Sequence, residues 1–335
     1  MEVLLPWLQF AVCLAAIGLA GPMIVRSGEA IALHTGMSRS WIGLIMLATA
    51  TSLPELFTGV SAVSVANAPD IAVGDALGSC LFNLVMLVLL DALCRDEPVW
   101  TRSDQGHILT AGFGVILIAF VGALILVARD ELDFEIGHVS IYTPILVLLY
   151  LVAMRSAYFY ERRSTSPNAG GGDPGDLPLS SALVRYAFAG GVIAVTGFWL
   201  PFVGLDLAAA MGWKTSFVGT LFVAAATSLP EFIVAVSALR MGSADMAIGN
   251  LLGSNLIAIL VIAIDDIAYR QGSLLADVSP AHAVTAFAGA MMAGICIVAL
   301  LYRPGNRFFG VVGWVSLALL SVYLLSSYAV YLHGH

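Results

Sequence analysis

The chain has 335 residues, 60 % of them hydrophobic and only 11 % charged, and its mean hydropathy is +0.95. Soluble domains carry about 25 % charged residues, so this composition excludes a water-soluble enzyme and a disordered tail protein. A total of 14 Lys and Arg against 22 Asp and Glu leaves no basic face for a nucleic-acid partner. The chain reads as an integral membrane protein whose partner is the lipid bilayer.

A hydrocarbon core of about 30 Å takes roughly 20 apolar residues in a helix. Breaking the sequence at Gly, Pro and charge clusters gives ten spans, near residues 5–25, 40–64, 70–93, 107–128, 138–159, 181–205, 216–239, 246–268, 281–302 and 308–331. The first opens on Met1-Glu2 and meets its first arginine, Arg26, only after the apolar run. That order suits a retained span with the N-terminus outside. Of the 14 Lys and Arg, only Arg129, Lys214 and Arg270 then fall in outer connections, as the positive-inside bias requires.

The stretch 161–180, with Ser164-Thr-Ser-Pro167 and Gly170-Gly-Gly-Asp-Pro-Gly175, is polar coil of linker composition on the cytoplasmic side. It separates a first half, 1–160, from a second, 181–335. Each half holds five spans, and an odd number means the halves enter the membrane from opposite sides. The expected fold is an all-α polytopic membrane protein. Its ten transmembrane helices form two inverted five-helix repeats, with the N-terminus and C-terminus outside.

The halves are related in sequence. Ala48-Thr-Ala-Thr-Ser-Leu-Pro-Glu55 matches Ala224-Ala-Ala-Thr-Ser-Leu-Pro-Glu231, and Asp70-Ile-Ala-Val-Gly-Asp-Ala-Leu-Gly-Ser79 matches Asp245-Met-Ala-Ile-Gly-Asn-Leu-Leu-Gly-Ser254. Repeats of opposite orientation with breaks at matching places point to a secondary transporter with its site at the midplane.

Glu55 and Glu231 fall in mid-span, where an ionised carboxylate costs about 2.5–3.5 kcal/mol on insertion scales. A lone protonated, hydrogen-bonded glutamic acid is the bland alternative; its recurrence in both halves favours function. Pro54 and Pro230 precede the acids. Each lacks an N–H and frees backbone carbonyls near Thr51 and Ala50, and near Thr227 and Ala226. Thr51, Ser52, Thr227 and Ser228 add hydroxyls. Carboxylate, carbonyl and hydroxyl together form the all-oxygen shell that hard cations need, and two facing half-sites supply the six to eight oxygens typical of calcium. Gly74-x-x-x-Gly78 and Gly249-x-x-x-Gly253 have small-xxx-small spacing. The close helix approach they allow brings Ser79 and Ser254 to the carboxylate helices, with Asn83 one turn beyond Ser79.

Other polar residues read as structural. Asp70 and Asp245 suit helix N-caps. Asp91, Asp265 and Asp266 read as interfacial, and Asp130–Glu135 as a solvated loop. The six histidines are read as having no repeated spacing. The aromatics read as lipid-facing or interfacial. Cys13, Cys80, Cys94 and Cys296 read as free buried thiols without metal-ligand spacing. No cofactor is expected.

With these motifs, over nearly its whole length, the sequence resembles the cation/calcium exchanger superfamily, the prokaryotic sodium/calcium exchangers in particular. The resemblance implies a prokaryotic inner or plasma membrane and transported ions Ca2+ and Na+ (or H+). It implies central calcium ligands at Glu55 and Glu231, with backbone carbonyls from Thr51 and Thr227. It implies sodium ligands at Ser52, Ser228, Ser79 and Ser254 and at the carbonyls of Ala48 and Ala224, and it places the family's asparagine at Asn83. The second block departs from the pattern: Ala258 stands where those exchangers carry an aspartate, Cys80 faces Asn255 in the repeat alignment, and Asp75 faces Asn250. Helix spacing puts Asp75 a turn before Ser79 and leaves open whether it reaches the pocket.

The expected function is a secondary active antiporter that exchanges Ca2+ for Na+ by alternating access at the two glutamates. A proton-coupled or broader divalent antiporter is the alternative, and a cation channel is the alternative from another class. No nucleophile–base pair or phosphate-binding loop supports an enzyme.

Overall fold

The computed structural model describes the chain apart from residues 1–2, 35–47, 95–96, 102, 129–134, 137, 165–176, 241–243, 306, 309–311 and 335. It is helical throughout, with two short antiparallel ladders. The first half runs α1 (Leu4–His34), α2 (Ala48–Thr51), α3 (Leu53–Ser64), α4 (Pro69–Leu93), α5 (Gly106–Val127), β1 (Glu135–Ile136), β2 (Val139–Ser140) and α6 (Tyr142–Ser164). The second runs α7 (Leu179–Met211), α8 (Thr215–Val218), a π-helical turn at Gly219–Val223, α9 (Ala224–Thr227), α10 (Leu229–Arg240), α11 (Ala244–Ala268), α12 (Ala281–Tyr302), β3 (Arg307–Phe308), β4 (Val312–Gly313) and α13 (Trp314–His333). Element lengths recur between the halves: α4 and α11 have 25 residues each, α5 and α12 have 22, and α3 and α10 have 12.

Among the described residues, eight helices are long and apolar enough to cross a membrane, and a ninth span forms if the pair Thr215–Thr227 and Leu229–Arg240, bent by 45°, counts as one. Of the span expected over 40–64, only 48–64 is described, and it is broken at Ser52. The spans expected to begin at 138 and 308 begin instead at Tyr142 and Trp314, because each is preceded by a ladder, β1–β2 or β3–β4. Of the expected linker, 165–176 lie outside the described residues; 161–164 extend α6, and α7 starts at Leu179. The acidic segment 130–134 also lies outside them.

The layers follow from which faces are apolar. α4 and α11 are the central helices: 67 % and 83 % of their most apolar windows are buried, against 28 % for α6 and α13. They pack on each other, and α5 lies along α12. α1 and α7 pair along their length at the periphery, and each lays a glycine on a broken helix. A Cβ at Gly21 would sit 2.9 Å from Pro230 Cγ, and one at Gly197 would sit 3.2 Å from the Pro54 carbonyl oxygen. The four cysteines are buried and free. The aromatics are less scattered than expected, since Trp7, Phe10, Trp213, Phe217 and Phe222 form one edge-to-face cluster in which Trp213 stacks on Phe222 at 5.1 Å.

Four aspartates fasten one half to the other, which corrects their reading as caps and interfacial groups. The N-cap of α4 is Ala68, without a side-chain cap bond. Asp70 Oδ1 instead accepts from Ser279 N (2.7 Å) and faces His282 Nε2 (3.1 Å). Its repeat counterpart Asp245 accepts from Asp104 N (2.6 Å) and faces His107 Nε2 (3.2 Å). The histidines therefore do repeat: His107 and His282 are spaced as Asp70 and Asp245 are. At the other helix ends, Asp91 accepts from Val99 N and, across the halves, from Ser316 Oγ. Asp266 accepts from Leu274 N and, across the halves, from Ser140, Tyr142 and Thr143. Both are buried rather than interfacial, at 1 % and 0 % exposed. A buried carboxylate needs such donors to offset its lost hydration.

The glycine spacing of α4 permits close approach, as expected. A Cβ at Gly78 would press on the Thr220 carbonyl and lie 2.8 Å from Ala224 Cβ, whereas one at Gly112 would meet nothing within 4 Å. Gly78→Ala is expected to lower stability by about 1–3 kcal/mol through overpacking, and Gly112→Ala to raise it slightly, because Gly costs about 0.5–1 kcal/mol in a helix relative to Ala. Thermal unfolding of the two variants in detergent checks the contrast.

Candidate cation-binding site

The site forms where two broken helices meet the two central helices. Pro54 and Pro230 cannot donate to the carbonyls one turn back, and both helices break two residues before the proline. Ser52 has φ −86°, ψ 9° and Ser228 has φ −81°, ψ 5°, the sparsely populated bridge region in which active-site residues are often found. The helices restart with Leu56 N to Ser52 O and Phe232 N to Ser228 O, both at 3.2 Å. In the second half the π-helical turn Gly219–Val223 precedes the break, and such turns recur at functional sites.

The broken segments carry Thr51, Ser52 and Glu55 on one side and Thr227, Ser228 and Glu231 on the other. α4 brings Asp75, Ser79 and Asn83, and α11 brings Asn250, Ser254 and Asn255. All these side chains are buried. Glu231 Oε1 accepts from Ser52 Oγ (3.2 Å) and Ser254 Oγ (3.4 Å), and the Thr51 hydroxyl also bonds Glu231. Glu55 Oε1 accepts from Ser79 Oγ (3.4 Å). Ser228 Oγ donates to Ser79 Oγ (3.0 Å), and Thr227 Oγ1 stands 3.4 Å from the same oxygen. Each glutamate is thus held by a serine of its own half (Ser79 for Glu55, Ser254 for Glu231), and the network crosses between halves through Ser52–Glu231 and Ser228–Ser79.

The remaining expected residues are placed differently. Asn83 gives its amide to Asn255 Oδ1 (3.0 Å), and Asn255 Nδ2 reaches the Cys80 carbonyl (3.4 Å), so Asn83 belongs to an amide pair beside the carboxylates. The Ala224 carbonyl, expected as a ligand, accepts from Ser228 N (3.0 Å) and lies 3.2 Å from Thr227 Oγ1, whose single proton goes to the nearer Asp75 Oδ1 (2.7 Å), so one lone pair of the carbonyl stays available. Ala48 is the first residue of α2. Ala258 is buried and offers no acid.

Asp75 is the acid the sequence left open, and it joins the network: Thr227 Oγ1 donates to Asp75 Oδ1 at 2.7 Å. Asn250, its repeat counterpart, donates to the Glu231 carbonyl (3.4 Å). The repeat alignment marks both positions as well as Asn255, because each lies on the Ser79 or Ser254 stretch of its helix.

One oxygen of each acid is spoken for and the other is not. Glu55 Oε2, Glu231 Oε2 and Asp75 Oδ2, together with the side-chain oxygens of Asn83 and Asn250, are buried without a hydrogen-bond partner among the described residues. No Lys or Arg among them is buried. Unpaired buried oxygens cost about 1–3 kcal/mol each, more when charged. Such a set suits a hard cation, which takes oxygen ligands only. Among the described residues no three His, Cys, Asp or Glu side chains converge as a metal cage, so hydroxyls, amides and carbonyls must complete any shell around the glutamates.

A membrane-embedded bundle with two matched broken helices and buried acids lacking cationic partners defines a polytopic transport protein. The family model described as sodium/calcium exchanger protein matches residues 5–159 and 181–332, and the chain belongs to that family. The family and its fold are those of secondary transporters, not enzymes. An uncharacterized membrane protein of Methanocaldococcus jannaschii is 28 % identical over 304 residues, 90 % of each chain. Among solved structures, the sodium-calcium exchanger NCX_Mj is similar with a TM-score of 0.63 at 22 % identity, over 97 % of this chain and 98 % of that one. The H+/Ca2+ exchanger CAX has a TM-score of 0.65 at 17 % identity, over 98 % and 88 %. At these identities the likeness to both structures is one of fold.

Ser79 connects Glu55, Ser228 and Thr227 through one hydroxyl. Ser79→Ala is expected to cost about 1–3 kcal/mol, the range for stranding buried polar partners, read as a lower thermal unfolding midpoint in detergent without added cation.

Proposed function

We propose that the chain is a cation antiporter that exchanges Ca2+ for Na+ by alternating access, with Glu55 and Glu231 as the central ligands. The observation that carries this reading is the state of the two glutamates: each is buried at a helix break, with one oxygen held by serine hydroxyls and the other without a partner. Two carboxylates are neutralised equally by one divalent cation, by two sodium ions or by two protons. Ions that exclude one another from a single pocket are exchanged rather than co-transported, because each lowers the occupancy of the other.

Thr51, Thr227, Ser52, Ser228, Ser79 and Ser254 are the proposed auxiliary ligands, by hydroxyl or carbonyl oxygen, with Asn83 beside them. For Ala48 and Ala224 the proposed ligand is the carbonyl, and the Ala224 carbonyl keeps a lone pair while the Thr227 hydroxyl donates to Asp75. Asp75 orients Thr227. The proposed topology is ten helices in two inverted five-helix halves, 1–160 and 181–335, around the linker 161–180, with both termini outside. The α1–α7 pair is the proposed moving part: its two helices pack along each other and lie against the broken helices, which they approach closely at Gly21 and Gly197.

Proton coupling is the second reading. Ala258 leaves the site without the aspartate its family resemblance calls for, and the fold is as similar to the H+/Ca2+ exchanger CAX as to NCX_Mj. In proteoliposomes loaded with sodium, an outward sodium gradient should drive calcium uptake; uptake driven only by a pH gradient would transfer the assignment to proton exchange. Flux that does not saturate and carries unitary current would instead indicate a channel.

Glu55→Gln and Glu231→Gln should each reduce calcium uptake to the level of protein-free vesicles. Both should keep the wild-type elution profile in size-exclusion chromatography, since the amide preserves shape and one acceptor. Wild-type uptake by either variant would remove that residue from the site.

A further inference from the structure

One buried acid stands outside the central network. Asp265 lies near the C-terminal end of α11, is 0 % exposed, and neither of its carboxylate oxygens has a hydrogen-bond partner among the described residues. It has no counterpart in the first half. Asp266 matches Asp91 in the repeat, so Asp265 matches Leu90. Its neighbour Asp266 is saturated by donors, which makes the bareness of Asp265 a local feature rather than a property of that helix end.

A glycine accommodates this carboxylate. A Cβ at Gly59 of α3 would lie 2.6 Å from Asp265 Oδ1 and nearer still to Oδ2, so only glycine lets the acid rest against α3. Gly59 is four residues after Glu55, on the same helical face. Asp265 therefore sits about one turn, roughly 5.4 Å, along α3 from the central glutamate. The charged groups that act on it are Asp75 from α4 and Asp266 from its own helix. α3 presents Gly59 and, one turn away, Glu55. From α6, Tyr142 is engaged by Asp266, and Tyr150 packs on Ile257 and Val261. Among the described residues the charged groups acting on Asp265 are therefore acids, and from the ladder before α6 the titratable His138 meets the same helix end through the Ile267 carbonyl (3.1 Å).

An ionised carboxylate in such surroundings is strongly disfavoured. A divalent cation needs six to eight oxygens, which this position lacks, whereas a proton needs one. We propose that Asp265 is a proton-carrying group of the transport cycle. It is a neutral acid while the nearby glutamates lack their cation. It releases its proton to the membrane face at the C-terminal end of α11 when a cation arrives at Glu55, and regains it when the site empties. The positive charge one turn away favours the anion, and its departure favours the acid. The proposal rests on the antiporter reading of Glu55 and Glu231. It makes transport respond to pH on the face that the arginine distribution marks as outer.

The test uses the full chain in lipid vesicles. Infrared difference spectra between acid and alkaline buffer report the carbonyl stretch of protonated carboxyl groups. A band of a non-hydrogen-bonded acid is expected in the wild type, lost in Asp265→Asn and kept in Glu231→Gln. Calcium uptake against external pH should flatten in Asp265→Asn and regain its slope in Asp265→Glu. A band that survives Asp265→Asn, or an uptake profile that superimposes on the wild type, overturns the proposal. Should Asp265→Asn not fold, Gly59→Ala displaces the carboxylate and is expected to shift both band and profile; no change in either is equally fatal. Wild-type vesicles that take up neither calcium nor sodium overturn the antiporter reading and the link to transport, while the band still decides whether Asp265 holds a proton.

Discussion

The structure depends on the treatment of carboxylates buried in a bundle that buries no Lys or Arg among its described residues. Glu55, Asp75, Asp91, Glu231, Asp265 and Asp266 are all 3 % exposed or less. In hydrocarbon surroundings each must be satisfied by donors, by a proton or by a cation. The six divide by how far their oxygens are used. Asp91 and Asp266 have both oxygens engaged and serve as fasteners. Glu55, Glu231 and Asp75 have one engaged and one bare, and Asp265 has none engaged. A saturated acid is structural because nothing further can be gained by adding a ligand. A half-satisfied one keeps a reason to bind.

The fasteners explain how a site split between two halves is held in register. Each half offers an aspartate from the start and another from the end of its central helix, and each reaches into the opposite half: Asp70 to Ser279 and His282, Asp245 to Asp104 and His107, Asp91 to Ser316, and Asp266 to Ser140 and its neighbours. These bonds tie α4 and α11 to the connections around them, so the hydroxyls of Ser79 and Ser254 stay aligned with glutamates on other helices. α1 and α7 take no part in the aspartate bonds; they close on the breaks at Gly21 and Gly197, and one hydroxyl bond, Ser61 Oγ to the Phe198 carbonyl (2.6 Å), joins α3 to α7. The aspartate bonds are thereby confined to the central helices and the connections around them, while hydrophobic packing is common to all.

Eight of the ten expected spans, the two broken-helix motifs and the serine–glutamate pairing are legible because each rests on a local rule: apolar length, a proline that frees carbonyls, small-residue spacing. The ladders before α6 and α13 were not, since Val139 and Phe308 continue an apolar run and hydropathy does not distinguish a two-residue strand from a helix start. The fasteners were misread because Asp70 near a helix start satisfies the cap pattern whether or not its partner lies in the other half. Their signal was present all the same: His107 and His282 keep the repeat spacing, and testing every polar residue against that spacing reveals them. Asp75 was undecided because reach into a pocket depends on how closely helices approach, and that was set by Gly78 against Thr220.

The halves repeat in shape and differ in charge. Glu55 pairs with Glu231 and Ser79 with Ser254, but Asp75 pairs with Asn250, Asn83 with Ala258, and Leu90 with Asp265. Both unmatched acids, Asp75 and Asp265, lie toward the start of α4 and the end of α11, ends that the proposed inverted repeat brings to one membrane face. The matching places on the opposite side are held by Asn250 and Leu90. A cation at the proposed site between the glutamates would therefore meet an asymmetric field, more attractive on one face than on the other, although the proposed ligands are nearly symmetric. Alternating access needs only the symmetry of the backbone; a difference in how the two faces respond to pH or to ion concentration needs this asymmetry of charge, and the two acids are where the chain supplies it.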